Sequence, residues 1–449
     1  MIRSPRTTTV TGCAAAAARR LRAAALGLAA VALVSGAAFA EPPGPLLAKG
    51  QATDWWFVFK FNSSKTFAGC GPREEGKKKK EDHEDRQCPF GGKVQTKSGF
   101  GQQFAFASAK NSKLEDGHGC TGATLTDPVG ATFDQVYNGS FNYLIWNDQF
   151  YNDPAVGACK GDSCGAPWGH SKGLLAWDDD GAGFIMQVST PAWPRSGSAK
   201  FDKRKGNKGN TLGCNASNNN LRASQHFFAL KLDKDQLVEV LKALKNAGVV
   251  TDPTKSQIVR NGGPSNVRKL VDELGERPDT DNKTVIKTVL KVTGTDVTMI
   301  SKPPGLAVPP WQMVSAELSN AEERAATWWT KPWIPTTTAA TSIKCWDEDI
   351  LKVKKPGPVA IAKTGTWAEL EINLTAPSNH AKVGTAIAGG KKYAVFGDMN
   401  QQGALSPPGC NKSQNGRGGL FFAVQDDKLF ESVKELIDGE TASTKAPSK

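Results

Sequence analysis

The chain has 449 residues and a formal charge of +12, with 39% hydrophobic residues. That length supplies ample material for a core, in two domains or one large one. No stretch beyond residue 40 is apolar for long enough to cross a bilayer, which argues against a membrane-spanning chain.

Residues 1–40 read as a secretory signal peptide. Arg19, Arg20 and Arg22 make a basic start, Ala23 to Ala37 a short apolar run, and Ala38-Phe39-Ala40 a small-x-small cleavage site. Five of the arginines leave with this segment and no acid does, so the exported chain carries +7. A moderately basic chain suits a polyanionic partner. The expected compartment is extracellular or periplasmic. Eight cysteines remain after Cys13 is removed. An even number in an exported chain predicts disulfides, and the spacings of zinc sites are absent. Cys159 with Cys164, and Cys345 with Cys410, are the expected pairs.

In chain order, "DWWFVFKF" (Asp54 to Phe61) predicts a buried strand. Residues 63–100 read as loop. Its Lys77 to Lys80 run is a solvated stretch, with phosphate contact as the alternative. Phe141 to Gln149 predicts a strand, and Gly173 to Val188 a hairpin around an Asp/Gly turn. The basic Gly/Asn-rich loop 200–215 divides the chain into halves at 41–215 and 216–440. Asp233 to Gly248 predicts a helix capped by Asp233 or Asp235, and Ser265 to Gly275 a second. Lys392 to Asn400 predicts a buried strand, Asp426 to Gly439 a late helix, and 441–449 a disordered tail. Alternating strands and helices predict an α/β fold.

Two of only five histidines share one pattern, His170-x-Lys172 and His380-x-Lys382. In a strand, residues i and i+2 face the same way. Each pair would therefore present an imidazole and an ammonium together. Two such pairs around one point suit a phosphodiester. Lysines neutralise its oxygens, one imidazole attacks phosphorus, and the other protonates the leaving oxygen. Taken singly, each pattern reads as an accidental surface pair; its sharing by two of five histidines, each beside a glycine and an apolar strand, sets the two readings level. The remaining histidines read blandly: His83 and His118 in loops, His226 as a partly buried structural residue.

"DWWFVFKF", "YLIWNDQ", "GHSKGLLAWDDDGAGFIMQVSTPAWP", "NHAKVG", "VFGDMNQQ" and "GRGGLFF" occur in one order over residues 51–440, with 195–340 matching weakly. This series resembles the deoxyribonuclease II family of the phospholipase D superfamily. The resemblance implies an α/β fold of two pseudo-symmetric halves, each with a mixed sheet and one His-x-Lys motif. It implies an exported, metal-independent acid endodeoxyribonuclease that needs no cofactor. A phosphohistidine intermediate would lead to 3′-phosphate and 5′-hydroxyl ends. Its partners are a DNA substrate and no membrane, with a homodimer allowed. His170, Lys172, His380 and Lys382 then carry the chemistry. Asn400 sits where the superfamily has a polar contact to phosphate or lysine. Asp398 is expected to orient an imidazole, Asp178 to match the superfamily's motif acid or else to build a turn, and Arg417 to meet DNA phosphate or else to be a turn charge. Trp168 is placed to stack on a base. The rival readings are a superfamily phosphodiesterase acting on RNA or phospholipid, and a non-catalytic binder of polyanions.

Overall fold

The computed structural model describes residues 41–62, 104–117, 121–122, 125–137, 139–149, 163–191, 193, 223–347, 354–367 and 370–447. The expected signal peptide, the Lys77 to Lys80 run, His83, His118, the 200–215 loop and Cys159 lie outside them.

A short hairpin, β1 (Leu46–Ala48) and β2 (Gln51–Ala52), precedes β3 (Trp55–Lys60). β4 (Phe104–Ser108), β5 (Asn111–Asp116), α1 (Pro128–Tyr137) and β6 (Asn142–Asn147) follow. β7 (Lys172–Trp177) and β8 (Gly183–Val188) form the expected hairpin. After them come β9 (Gln225–Leu232), α2 (Lys234–Ala247), β10 (Val259–Arg260) and α3 (Ser265–Asp272). The chain continues through β11 (Ile286–Val292), β12 (Thr295–Lys302), α4 (Pro310–Glu317), β13 (Glu322–Ala326) and β14 (Val359–Ile361). A small pair, β15 (Thr364–Trp367) and β16 (Leu370–Asn373), leads to β17 (Val383–Ala388), β18 (Lys391–Gly397), β19 (Gly419–Gln425) and α5 (Asp427–Ile437).

Two sheets dominate this mixed α/β fold. The first runs β10-β6-β7-β8-β9-β3-β4-β5, the second β11-β12-β19-β18-β17-β13-β14. They pack through their central strands. Phe57 of β3 stacks on Phe396 of β18 at 4.2 Å, and Phe228 of β9 meets Phe396 and Phe422 at 4.9 and 5.5 Å. Alternation along each strand turns the next residue outward. Thus Trp56 bonds Thr132 of α1, and Phe421 packs edge-on against Trp311 of α4 at 5.5 Å.

The structure departs from expectation in three ways. Among the described strands the first sheet is antiparallel throughout rather than mixed, whereas the second is mixed as expected, through the parallel pair β13 with β14. Tight hairpins join antiparallel neighbours directly, whereas parallel ones need long crossovers. The cut at 215/216 does not separate the sheets, because β9 and β10 complete the first one. The tail expected from 441 begins with anchored residues: Ala442 is buried, and its amide donates to Ile361.

Local chemistry follows sequence at the helix ends. Asp233, not Asp235, caps α2 through a capping box with Gln236, and Gly248 ends it at φ 63°. Asp426 caps α5 by accepting from Leu429. Among the described residues no helix is long and apolar enough to cross a membrane.

Cys345 and Cys410 form a disulfide with their Cα atoms 5.2 Å apart. Cys164 is also disulfide-bonded, while its expected partner Cys159 is outside the described residues. The 345–410 bridge closes a separation of 65 residues. Replacing both cysteines by serine should therefore cost about 4 kcal/mol on the loop-entropy estimate. Urea unfolding of the double variant measures this, and an unchanged midpoint would contradict it.

Candidate active site

Lys172 opens β7, and its cross-strand partner in β6 is Asn147. Asp148 comes one residue after β6, and the register brings it beneath the first motif. Its Oδ1 accepts from Lys172 Nζ at 2.7 Å, and its Oδ2 from Arg417 at 2.8 Å. The Arg417 guanidinium also donates to the carbonyls of Trp168 and Gly169. Lys302, at the end of β12, holds the carbonyls of Asn415 and Arg417, and burial lowers its pKa to about 7. Burial alone would raise the Asp148 carboxyl. The charges of Lys172, His170 and Arg417 outweigh it and hold the group below the usual carboxylate range.

The two motifs are held reciprocally. His170 Nδ1 lies 2.6 Å from the carbonyl oxygen of Asp398, just after β18. His380 Nδ1 lies 3.3 Å from that of Ser189, just after β8. Each histidine's backbone amide donates to the residue before a strand: His170 to Gly418 before β19, His380 to Ser224 before β9. A carbonyl oxygen only accepts, so Nδ1 of His170 carries the ring proton and Nε2 keeps its lone pair. Lys382 Nζ sits 3.2 Å from His380 Nδ1 and donates to the His380 carbonyl at 2.6 Å.

The charges act across the motifs. Burial lowers His380 most, followed by Lys382, Lys172 and His170. Burial also lowers His170 most; Lys172 adds to this, Asp148 opposes it, and Arg417 and Lys382 contribute further. Lys382 is itself well below its usual value, first through burial and then through Lys172. The two imidazoles and two lysines therefore share one electrostatic site.

The residues match the family description Deoxyribonuclease II over 86–441. The chain belongs to the deoxyribonuclease II family. No curated protein matches it. Membership makes it a deoxyribonuclease-type hydrolase with DNA as substrate, which sets aside the non-catalytic binder.

The other residues expected in this deoxyribonuclease II site are placed unequally. Asp398 meets His170 through its backbone carbonyl, not its carboxylate. The carboxylate accepts from Leu420 N at 2.9 Å and Gln187 Nε2 at 3.1 Å. Burial raises its pKa to about 7, against the lowering by Ser171, Leu420, Lys172 and Gln187. Asn400 donates one N–H of its amide to Gln402, and its buried Oδ1 has no hydrogen-bond partner among the described residues. The amide keeps a second N–H, and the open oxygen is an acceptor suited to an ammonium. Arg417 is buried, and its Nε and Nη2 donate to Asp148 and the 168–169 carbonyls. Asp178 accepts from the amides of Asp180, Gly181 and Ala182 and so builds the β7–β8 turn. It stands at the far end of six-residue β7, roughly 20 Å from the motif. Trp168 is partly exposed.

Two residues escaped the sequence reading, Asp148 and Trp328, and His226, expected as a partly buried structural residue, has a more definite place. His226 is fully buried, and its Nδ1 accepts from the backbone amide of Lys382 at 3.1 Å. A signal was available in "HFFALKLDKDQL" and "LFFAVQDDKLFE", where Phe-Phe-Ala leads into an Asp-capped helix twice. In that alignment His226 corresponds to Leu420. His226→Leu should therefore fit the space but strand the Lys382 amide, costing about 1–3 kcal/mol. Urea unfolding reads this, and a neutral result would mean that the bond contributes nothing.

Proposed function

We propose that this deoxyribonuclease is exported after cleavage behind Ala40 and cuts DNA internally, without metal, at acid pH. The reading rests on a phospholipase D-like frame of two pseudo-symmetric halves. Its main support is the reciprocal pair of contacts, His170 to Asp398 O and His380 to Ser189 O, each across to the end of the other motif's hairpin. The strand orders support it too: β7, β8 and β9 run consecutively in one sheet, and β17, β18 and β19 in the other.

In this mechanism His170 Nε2 attacks phosphorus. The bond to the 5′-oxygen breaks, and His380, protonated, gives that oxygen its proton. The 5′-hydroxyl strand leaves, and the 3′-phosphoryl group remains on His170. His380, now neutral, takes a proton from water, whose oxygen attacks the phosphohistidine and releases a 3′-phosphate. Lys172 and Lys382 stabilise the charge on the non-bridging oxygens, the work that a metal ion would otherwise do. Lys172 is kept in place by Asp148.

The pH dependence follows from the pair. Burial and the lysines lower both histidines in the free protein. A bound phosphodiester returns negative charge and raises them again. The reactive form carries one proton over two imidazoles. Raising pH empties the acid, and lowering pH fills the nucleophile. The expected profile is a bell with its optimum below neutrality, unchanged by EDTA. Rates on a labelled oligonucleotide across pH, with chemical assignment of the ends, test this. An alkaline optimum abolished by chelation, or 5′-phosphate ends, would overturn the reading.

A further inference from the structure

The strand registers put one residue of each half in the same place beside its motif. In the first sheet Trp146 faces Gly173 and Asn147 faces Lys172, so Asp148 comes next. In the second, Ala326 faces Val383, which places Thr327 beside Lys382 and makes Trp328 next. Both residues touch their motif: Asp148 bonds Lys172, and the Trp328 ring lies 4.7 Å from the His380 ring at 47°. Their exposure differs. Asp148 is buried and both its oxygens are occupied, whereas Trp328 is partly exposed above a His380 that is only 7% exposed. An indole with one face on the active-site imidazole and surface left to solvent is a platform at the mouth of the site.

The segment around it is held firmly. Gln401 N donates to Thr327 Oγ1, Gln402 Nε2 to the carbonyl and hydroxyl of Thr330, and Asn400 in turn to Gln402. Trp329 is fixed through Ile334 O and packs edge-on with Trp333 at 6.5 Å. Lys331 on the same segment is exposed. A rigid aromatic surface with a cation beside it suits a nucleobase and its neighbouring phosphate. Every base offers a π-face, so such contact tolerates sequence.

We infer that Trp328 forms a base subsite, stacking on the nucleobase of the nucleoside whose 5′-oxygen leaves. The ligand is thus a base freed from its own stack, and duplex DNA is opened locally at the cut. This rests on the reading in which the two motifs flank the scissile phosphate and His380 serves the leaving oxygen.

The test uses the full-length exported protein in EDTA at its acid optimum, with an oligonucleotide containing one cleavable phosphodiester. In a second oligonucleotide the base on the 3′ side of that linkage is replaced by an abasic tetrahydrofuran. Removing the base should slow wild type by about 5- to 100-fold in kcat/KM. Trp328→Ala should lose a similar factor on the intact oligonucleotide and nothing further on the abasic one, while Trp328→Phe recovers most of the loss. If Trp328→Ala slows both substrates equally, the indole only packs on His380 and the subsite is refuted. Indifference of wild type to the missing base refutes it as well. Wild type that cleaves neither oligonucleotide overturns the reading of the two motifs, and the subsite with it.

Discussion

Alanine at His380 should lower kcat on DNA by roughly 10²- to 10⁴-fold, the usual contribution of a positioned acid or base. Alanine at His170 should cost at least as much, since in the proposed mechanism it removes the attacking atom. DNA binding should change little in either case, because both groups act mainly in the transition state. The pair works as a unit, so the double variant should be no slower than the worse single one. The lysines differ. Losing Lys172 or Lys382 removes charge that meets the phosphate in the ground state as well, so KM should rise together with a fall in kcat. Steady-state kinetics with a separate binding measurement decides this. A His380→Ala enzyme with normal kcat and weakened binding would place the imidazole outside the chemistry.

Asp148→Ala carries the largest stability effect. Its carboxylate is the shared anion of Lys172 and Arg417, and all three groups are buried. Removing it leaves two cations without their counterion, which should cost about 3–5 kcal/mol. Activity should fall with it, because Lys172 loses the contact that aims it and Arg417 loosens the 168–169 carbonyls before His170. The sign with pH is fixed by the depressed Asp148 pKa. A carboxyl lowered by folding contributes fully above its unfolded value of about 3.9 and loses that contribution as pH falls through the folded value. The gap between wild type and Asp148→Ala should therefore hold from neutrality down to about pH 4.5 and shrink only below that. The acid optimum proposed above would call for such a group, one that stays ionised where ordinary carboxylates begin to protonate. Urea midpoints across pH test this, and a variant as stable as wild type would contradict it.

Much of the local structure was legible in sequence. Apolar runs marked β3, β6 and the β7–β8 hairpin, and Asp233 with Gly248 bounded α2. The two motif pairs stood out because histidine is scarce. What sequence did not give was whatever depends on pairing register. Asp148 lies 22 positions before His170 in an unremarkable strand end, and only the β6–β7 ladder brings it under Lys172. Trp328 reaches His380 through the equivalent β13–β17 ladder. Arg417 read as a DNA-phosphate contact or else a turn charge beside glycines, and it crosses from just before β19 to the carbonyls before the first motif. β9 joins the first sheet from beyond the expected boundary because the 200–215 loop lies between two paired strands, β8 and β9, and β9 also pairs with distant β3.

The central claim is that two histidines and two lysines cut DNA with no metal. Supercoiled plasmid incubated with the protein lacking residues 1–40 at about pH 5, where an imidazole pair can hold its proton, in excess EDTA, tests it most directly. The account predicts conversion to nicked and then linear DNA whose new 5′ ends are hydroxyls, with His170→Ala and His380→Ala inert beside it. Plasmid that stays supercoiled in EDTA and is cut only when magnesium is restored would contradict it.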